Sequence, residues 1–285
     1  MEVVASGGAL GAEVKGIDMR KPLRSEEIAT IKQGWNDHLV LVVRGQFDVT
    51  LEHHLSFSRH FGELALSPPS PETGKRGEYK NVPPEVAVVS NIEKDGKPIG
   101  ALGNHDVKWH TDSSFFDIPP AGGLLRAIEV PEDGSGATSF LNLYNAYATL
   151  ADELRKKIEG RFCNHSANYD SSGRPYPYAD TGDPANSPGA RHPLVRTHPE
   201  TGRKCLFLGR RLDAWIVGLP VEESEELLDA IWNHATEDRF KWTHEWRNGD
   251  MVMWDNRCVM HRRDAFDPSL RRHMQRTQIV GTKPF

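Results

Sequence analysis

The segment His110-Thr111-Asp112, matched far downstream by His261, constrains this chain more than any other feature. In an extended segment residues i and i+2 project to the same side. His110 and Asp112 can therefore face one point in space, and His261 has to reach that point from another strand. Two imidazoles and one carboxylate then occupy one face of an octahedral metal and leave the opposite face open, a donor set suited to non-haem Fe(II). A bare His-x-Asp is common by chance. The flanks make this one specific: Trp109-His110-Thr111-Asp112-Ser113-Ser114-Phe115 on one side, and Trp254-Asp255-Asn256-Arg257 running through His261 to Arg272 and Arg276 on the other.

The rest of the chain is compatible with an enzyme of ordinary soluble composition. Its 285 residues, 38% hydrophobic, suffice for the core of one large domain or two modest ones. A net charge of −5 provides no broad basic face for nucleic acid or an anionic membrane. No apolar run approaches the roughly 20 residues of a membrane helix. The opening MEVVASGGALGAEV lacks a basic stretch followed by an apolar core, so no secretory signal is expected. Cys163, Cys205 and Cys258 are odd in number and form no CxxC pair, which argues against a disulfide framework and fits a reducing cytoplasm. Cys258 reads as a small buried filler.

Local patterns predict a strand over 12–17 and then a helix with Ser25 as N-cap, Glu26 and Glu27 in its first turn, and Ile28, Ile31 and Trp35 on one face. A buried strand is expected over 39–43 and a helix from Thr50 to near Gly62. Strands are expected over 86–89, 122–130 and 274–280, and helices over 144–158 and 221–235. Asn248-Gly249, between 240–247 and 251–255, is a tight-hairpin signal. Residues 65–108 and 169–191 are rich in Pro, Ser, Gly and charge. Loops of that length beside a metal site suggest lids. Strands interspersed with helices, without strict alternation, indicate an α+β or mostly β fold rather than a doubly wound sheet.

The two metal-donor segments resemble the taurine dioxygenase and 2,4-dichlorophenoxyacetate dioxygenase family. Pro119-Pro120-Ala121-Gly122 and the arginines 11 and 15 residues after His261 match it in order and spacing. Weaker echoes are Gly11-Ala12-Glu13, Phe61-Gly62-Glu63-Leu64, His198-Pro199 and Gly281-Thr282-Lys283-Pro284. The resemblance is close to full length. It implies a single domain over 1–285 with a double-stranded β-helix (jelly-roll) core flanked by helices. It also implies an enzyme that uses Fe(II), 2-oxoglutarate as cosubstrate and O2 to hydroxylate a small organic acid, releasing succinate and CO2.

The resemblance further assigns His110, Asp112 and His261 as metal ligands and Arg272 to the distal carboxylate of 2-oxoglutarate. Thr138 matches a threonine that binds the same carboxylate, with Ser139 as fallback, because residues 131–136 need one extra position in the match. Arg276 corresponds to the arginine that meets the substrate's acid. On a strand Arg272, Met274 and Arg276 share a face, and Arg271 is left to solvent. Trp109 and Trp254 read as walls. Asp255 reads either as the partner of a ligand imidazole or as a turn-stabilising acceptor. His105 could face the substrate, His53 and His54 lie in a helix, and His198 reads as a turn residue.

Taurine dioxygenase follows its FGEL segment with a His and a Tyr that help to hold the sulfonate. Those places are Ser67 and Ser70 here. Leu208-Gly209-Arg210-Arg211, Arg262-Arg263-Asp264 and Val89-Ser90-Asn91-Ile92 resemble the aryloxyalkanoate side of the family instead. The substrate expected is therefore an anion such as a phenoxyacetate, cleaved at its ether, with an alkylsulfonate as the alternative. A metal-binding sensor without turnover is disfavoured by the intact triad and arginines. A zinc hydrolase is disfavoured by the lack of a general base like that of HExxH. No nucleic-acid or membrane partner is expected, and a homo-oligomer is compatible with the sequence.

Overall fold

The computed structural model describes residues 1–67, 82–180 and 182–285. Two largely antiparallel sheets dominate it. The larger has eight strands in the order Glu2–Ala5, Ala12–Lys15, Val40–Val43, Met251–Asp255, Gly122–Glu129, His273–Ile279, Ala87–Ser90 and Ala101–Leu102. The smaller has four, in the order Lys241–His244, Thr138–Asn142, Val259–Arg263 and Val107–His110. The fold is thus mostly β with a few flanking helices.

Alternation along the central strands explains the layering. Val40 and Val42 join one apolar cluster, while Leu41 and Val43 join the other. Val252 and Trp254 likewise part from Met251 and Met253, as Leu125 does from Leu124. Successive side chains of a strand point to opposite faces, so this sheet is covered on both. One face, with Trp254 and Met274, looks towards the small sheet and its Phe140. The other packs on Trp35 of the Ser25–His38 helix and on Phe57 of the Leu51–Arg59 helix, with Phe61 just beyond it. Full burial of such side chains contributes roughly 1.5–3 kcal/mol each.

Most of the expected elements are present, with ends displaced by a few residues. Three readings change. The first helix begins one residue earlier than its expected cap: Arg24 is the N-cap, and its backbone N–H donates to the Glu27 carboxylate at 2.9 Å. The helix expected over 144–158 is two, Leu143–Ala148 and Asp152–Ile158. Arg155 donates to the carbonyls of Ala148 and Leu150, which the break leaves without helical partners. The Asn248-Gly249 turn is not a hairpin, since the strands on either side of it belong to different sheets. The buried Asp250 carboxylate redirects the chain there, accepting from Arg44 at 2.7 Å, from His244 at 3.0 Å and from the Arg247 N–H at 3.0 Å. No helix among the described residues is long and apolar enough to cross a membrane.

Gly123 lies beneath the Trp254 indole, and a Cβ built there would overlap the ring. Overpacking of this kind costs about 1–3 kcal/mol. Gly123→Ala should therefore lower the midpoint of urea unfolding while leaving its slope unchanged. A midpoint equal to that of the wild type would show that the indole can move aside freely.

Candidate metal centre

The donors come together between the two sheets because of strand register. His110 ends its strand directly opposite His261 on the neighbouring antiparallel strand. Side chains of such a pair project from the same face and lie close together, and the two rings stand 4.2 Å apart. A bulge follows at once, with the register shifting between His261 and Arg263. Bulges re-aim side chains in this way at sites. Asp112 lies two residues past His110. The three potential ligand atoms all fall within 4.8 Å of one another, and all three residues are buried. The arrangement could hold one divalent metal on three protein ligands.

Each donor is oriented by neighbours. His110 Nδ1 lies 2.8 Å from the Lys108 carbonyl, so Nδ1–H donates there and Nε2 turns to Asp112. His261 packs against Trp254 and Phe140. Burial, reinforced by His110, pushes the His261 imidazole down to about 3, so it stays neutral at physiological pH. Burial alone would raise the Asp112 carboxyl. The Arg276 guanidinium and the two imidazoles override it and hold the group well below the usual carboxylate range. Arg276 Nη1 donates to both Asp112 oxygens at 3.0 and 3.1 Å, and Gln278 Nε2 donates to one at 3.2 Å. Arg276 Nε is buried without a partner.

A small cavity, about 50 Å³, opens beside His110 and His261, and its wall includes Thr138, Arg263, Arg272 and Arg276. Arg272 is only 2% exposed, and its Nε and Nη1 have no hydrogen-bond partner. Burial, with Arg263 alongside, pulls its guanidinium well below the ordinary arginine value. A buried cation without a counter-charge is costly, and a carboxylate in this cavity would offset that cost. Thr138 accepts from Trp246 Nε1 at 2.9 Å and lines the same cavity. Ser139 points elsewhere and bonds Thr243. Arg271 is exposed and paired with Glu129, as expected. A larger cavity, about 300 Å³, is lined by His110 with Trp109, Tyr169, Ser171, Arg210 and Trp232 among others.

Several roles differ from the sequence reading or were absent from it. Of its two readings Asp255 takes the turn-stabilising one: its Oδ1 accepts the Arg257 N–H at 2.9 Å, and it orients neither His110 nor His261. It accepts from Arg257 Nε and Nη2 at 2.8 and 2.7 Å and from His198 Nε2 at 3.0 Å. His198 is a turn residue and more, because its Nδ1 accepts the N–H groups of Glu200 and Thr201 while its other nitrogen braces Asp255. His105 is exposed and meets Arg263 through its carbonyl. Asn256 was legible only as a motif letter. Its Oδ1 accepts the Asp112 N–H at 2.9 Å, and its Nδ2 donates to the Asp112 carbonyl at 3.0 Å and to the Pro120 carbonyl at 2.9 Å. Ser90 and Asn91 likewise clamp the backbone of Arg272.

Residues that orient metal ligands typically matter by about 10–100-fold in metal affinity. Asn256→Ala should weaken Fe(II) or Mn(II) binding by that order while the far-UV spectrum stays native. Metal affinity equal to the wild type would show that Asp112 holds its place without the clamp.

The family model described as "Taurine catabolism dioxygenase TauD, TfdA family" matches residues 2–278. Pentalenolactone F synthase of Streptomyces arenae is 32% identical over 100% of this chain and 97% of its own length. The α-ketoglutarate-dependent 2,4-dichlorophenoxyacetate dioxygenase of Cupriavidus pinatubonensis is 36% identical over 94% of both. Among solved structures, AAD-2 in complex with Mn(II) and N-oxalylglycine superposes with a TM-score of 0.80 at 33% identity, covering 99% of each chain. The chain belongs to the TauD, TfdA family and is a 2-oxoglutarate-dependent, non-haem iron dioxygenase, with Fe(II), 2-oxoglutarate and O2 as its reaction partners.

Proposed function

We propose that residues 1–285 act as one catalytic domain that hydroxylates a small organic anion at an iron held by His110, Asp112 and His261. The observation that carries this reading is the convergence of three buried donors beside a buried guanidinium that lacks a counter-charge. Bound Fe(II) and 2-oxoglutarate supply the oxidising power: one atom of O2 enters a substrate C–H bond and the other leaves in succinate, with release of CO2.

The chain's own residues prepare that chemistry. The Lys108 carbonyl fixes the His110 tautomer, so that Nε2 offers its lone pair to the site. Asp112 is the one anionic protein ligand, and Arg276 and Gln278 hold its carboxylate in place. Arg272 and the Thr138 hydroxyl take the distal carboxylate of 2-oxoglutarate, a bidentate match for a guanidinium. Trp254 and Phe140 pack against the His261 ring and keep water away from it. Arg276 keeps its Nε for the acid of a substrate. The large and small sheets form the two walls of a double-stranded β-helix. The stretches expected as lids, 65–108 and 169–191, include the sheet strands Ala87–Ser90, Ala101–Leu102, Val107–His110 and the start of Gly189–Pro193, so the lid role falls to the connecting segments between them, with 68–81 and Thr181 lying outside the described residues. Three buried free cysteines suit a reducing cytoplasm.

The substrate class favoured is an aryloxyalkanoate. Support comes from the 36% identical relative named for 2,4-dichlorophenoxyacetate. It also comes from Ser67, which stands where taurine dioxygenase has a sulfonate-binding histidine; Ser70, the second such place, lies outside the described residues. Hydroxylation of the carbon next to an ether oxygen gives a hemiacetal, which collapses to a phenol and a keto or aldehyde acid. A panel of taurine, alkyl sulfonates, phenoxyacetates and 2-phenoxypropionates, read by succinate and by released phenol, tests this. Phenol release from an aryl ether acid is expected. Efficient turnover of taurine with no phenol from any ether would overturn the substrate class and leave the iron chemistry standing.

The cosubstrate assignment has its own test. A hydrogen bond to a charged group is worth about 1.5–3 kcal/mol, or roughly ten- to a hundredfold in affinity. Arg272→Ala should raise the 2-oxoglutarate requirement by that order, with iron binding nearly intact. An unchanged requirement would move the role to another arginine, Arg276 first.

A further inference from the structure

Arg210 is the lining cation of the larger cavity that has no carboxylate within salt-bridge distance among the described residues. The other charged groups there are engaged. Lys108 pairs with Asp106 at 2.6 Å, Arg211 with Glu225 and Asp229 at 2.6 Å each, and Asp170 with Arg174 at 3.2 Å. Arg210 instead donates to two neutral acceptors, the Tyr169 carbonyl at 2.6 Å and Ser171 Oγ at 3.3 Å. Its Nε is buried with no partner. The Phe115 ring lies under the guanidinium, 5.1 Å from centroid to Cζ, and keeps it flat. These contacts fix the head group and leave donor hydrogens free.

The position of this cation matters as much as its unpaired state. His110 lines both cavities, so the larger one reaches a residue of the metal centre. Arg272, Arg276 and Thr138 all belong to the small cavity. The Arg276 charge is already engaged by both oxygens of Asp112. The larger cavity is lined by His110, Trp109 and Trp232 together with Arg210, the lining cation without a salt bridge among the described residues.

We propose that Arg210 is a specificity-determining residue that pairs with the acid group of the substrate, a carboxylate before a sulfate ester, in the cavity between Trp109 and Trp232. This rests on the anionic-substrate reading above and adds a second cation to the one expected at Arg276. A planar carboxylate can take two parallel N–H bonds from one guanidinium, and a tetrahedral sulfate matches that edge less well.

The test uses the full chain loaded with Mn(II) and 2-oxoglutarate, which binds without turnover, and follows tryptophan fluorescence from Trp109 and Trp232. Phenoxyacetate, its neutral isostere phenoxyacetamide and hexyl sulfate are titrated into wild type, Arg210→Gln and Arg210→Lys. Arg210→Gln should lose about 10–100-fold in phenoxyacetate affinity and bind the amide as wild type does. Arg210→Lys should recover part of the loss, and Mn(II) and 2-oxoglutarate affinities should be unchanged in both variants, which also reports on folding. Undiminished phenoxyacetate affinity in Arg210→Gln would overturn the role of Arg210 and leave the anionic-substrate reading intact. A wild type that binds the amide as tightly as both anions would overturn that reading and the Arg210 role with it. Loss confined to hexyl sulfate would overturn the preference for a carboxylate.

Discussion

The Asp112 carboxylate is the tie on which the rest of the site depends. It sits at the end of a small-sheet strand. Arg276 and Gln278, which hold it, belong to a central strand of the large sheet, and Asn256, which holds its backbone, belongs to the turn after another. One residue thereby links the two sheets and carries the anionic donor. Buried pairs of this kind contribute little net stability when made, yet breaking one costs roughly 3–5 kcal/mol because a charge is left stranded. The architecture tolerates the cost where a metal would share the carboxylate.

Arg272 shows the complementary arrangement. Its backbone is pinned on both sides by Ser90 and Asn91, while its head group is buried with nothing to neutralise it. A core selected for stability alone would not keep such a group. Local choices that contradict good packing tend to mark function, and here the contradiction points to where an acid belongs.

The parts of this design that depend on short-range pattern were legible in the sequence. The i, i+2 spacing of His110 and Asp112, the strand phase of Arg272 and Arg276, and the solvent-facing Arg271 all follow from period two. The apolar helix faces of 25–38 and 221–235 follow instead from the 3.6-residue period of a helix. Partners far apart in sequence were not legible. Asn256 meets Asp112 across 144 residues, and the His198 that braces Asp255 reaches it across 57. The Asn248-Gly249 turn misled for the same reason: local chemistry specified a tight turn, while the long-range contacts of Asp250 decided which sheet the next strand joined. The break in the 144–158 helix depended on Arg155 reaching back to carbonyls that the pattern treated as already bonded.

The two cavities are built from different kinds of structure. The small one is walled by residues of paired strands, such as Thr138, Phe140, His261 and Arg276, where a change of size propagates through the sheet. Much of the larger one comes from connecting segments, 169–173 and 210–212, which lie outside the named strands and helices. Connections of this kind accept substitution and insertion far more readily than the elements they join. His110 lines both. Substitutions in those connecting segments leave the paired strands around His110 and His261 in place, so the larger cavity can be reshaped for new substrates while the small one is inherited unchanged.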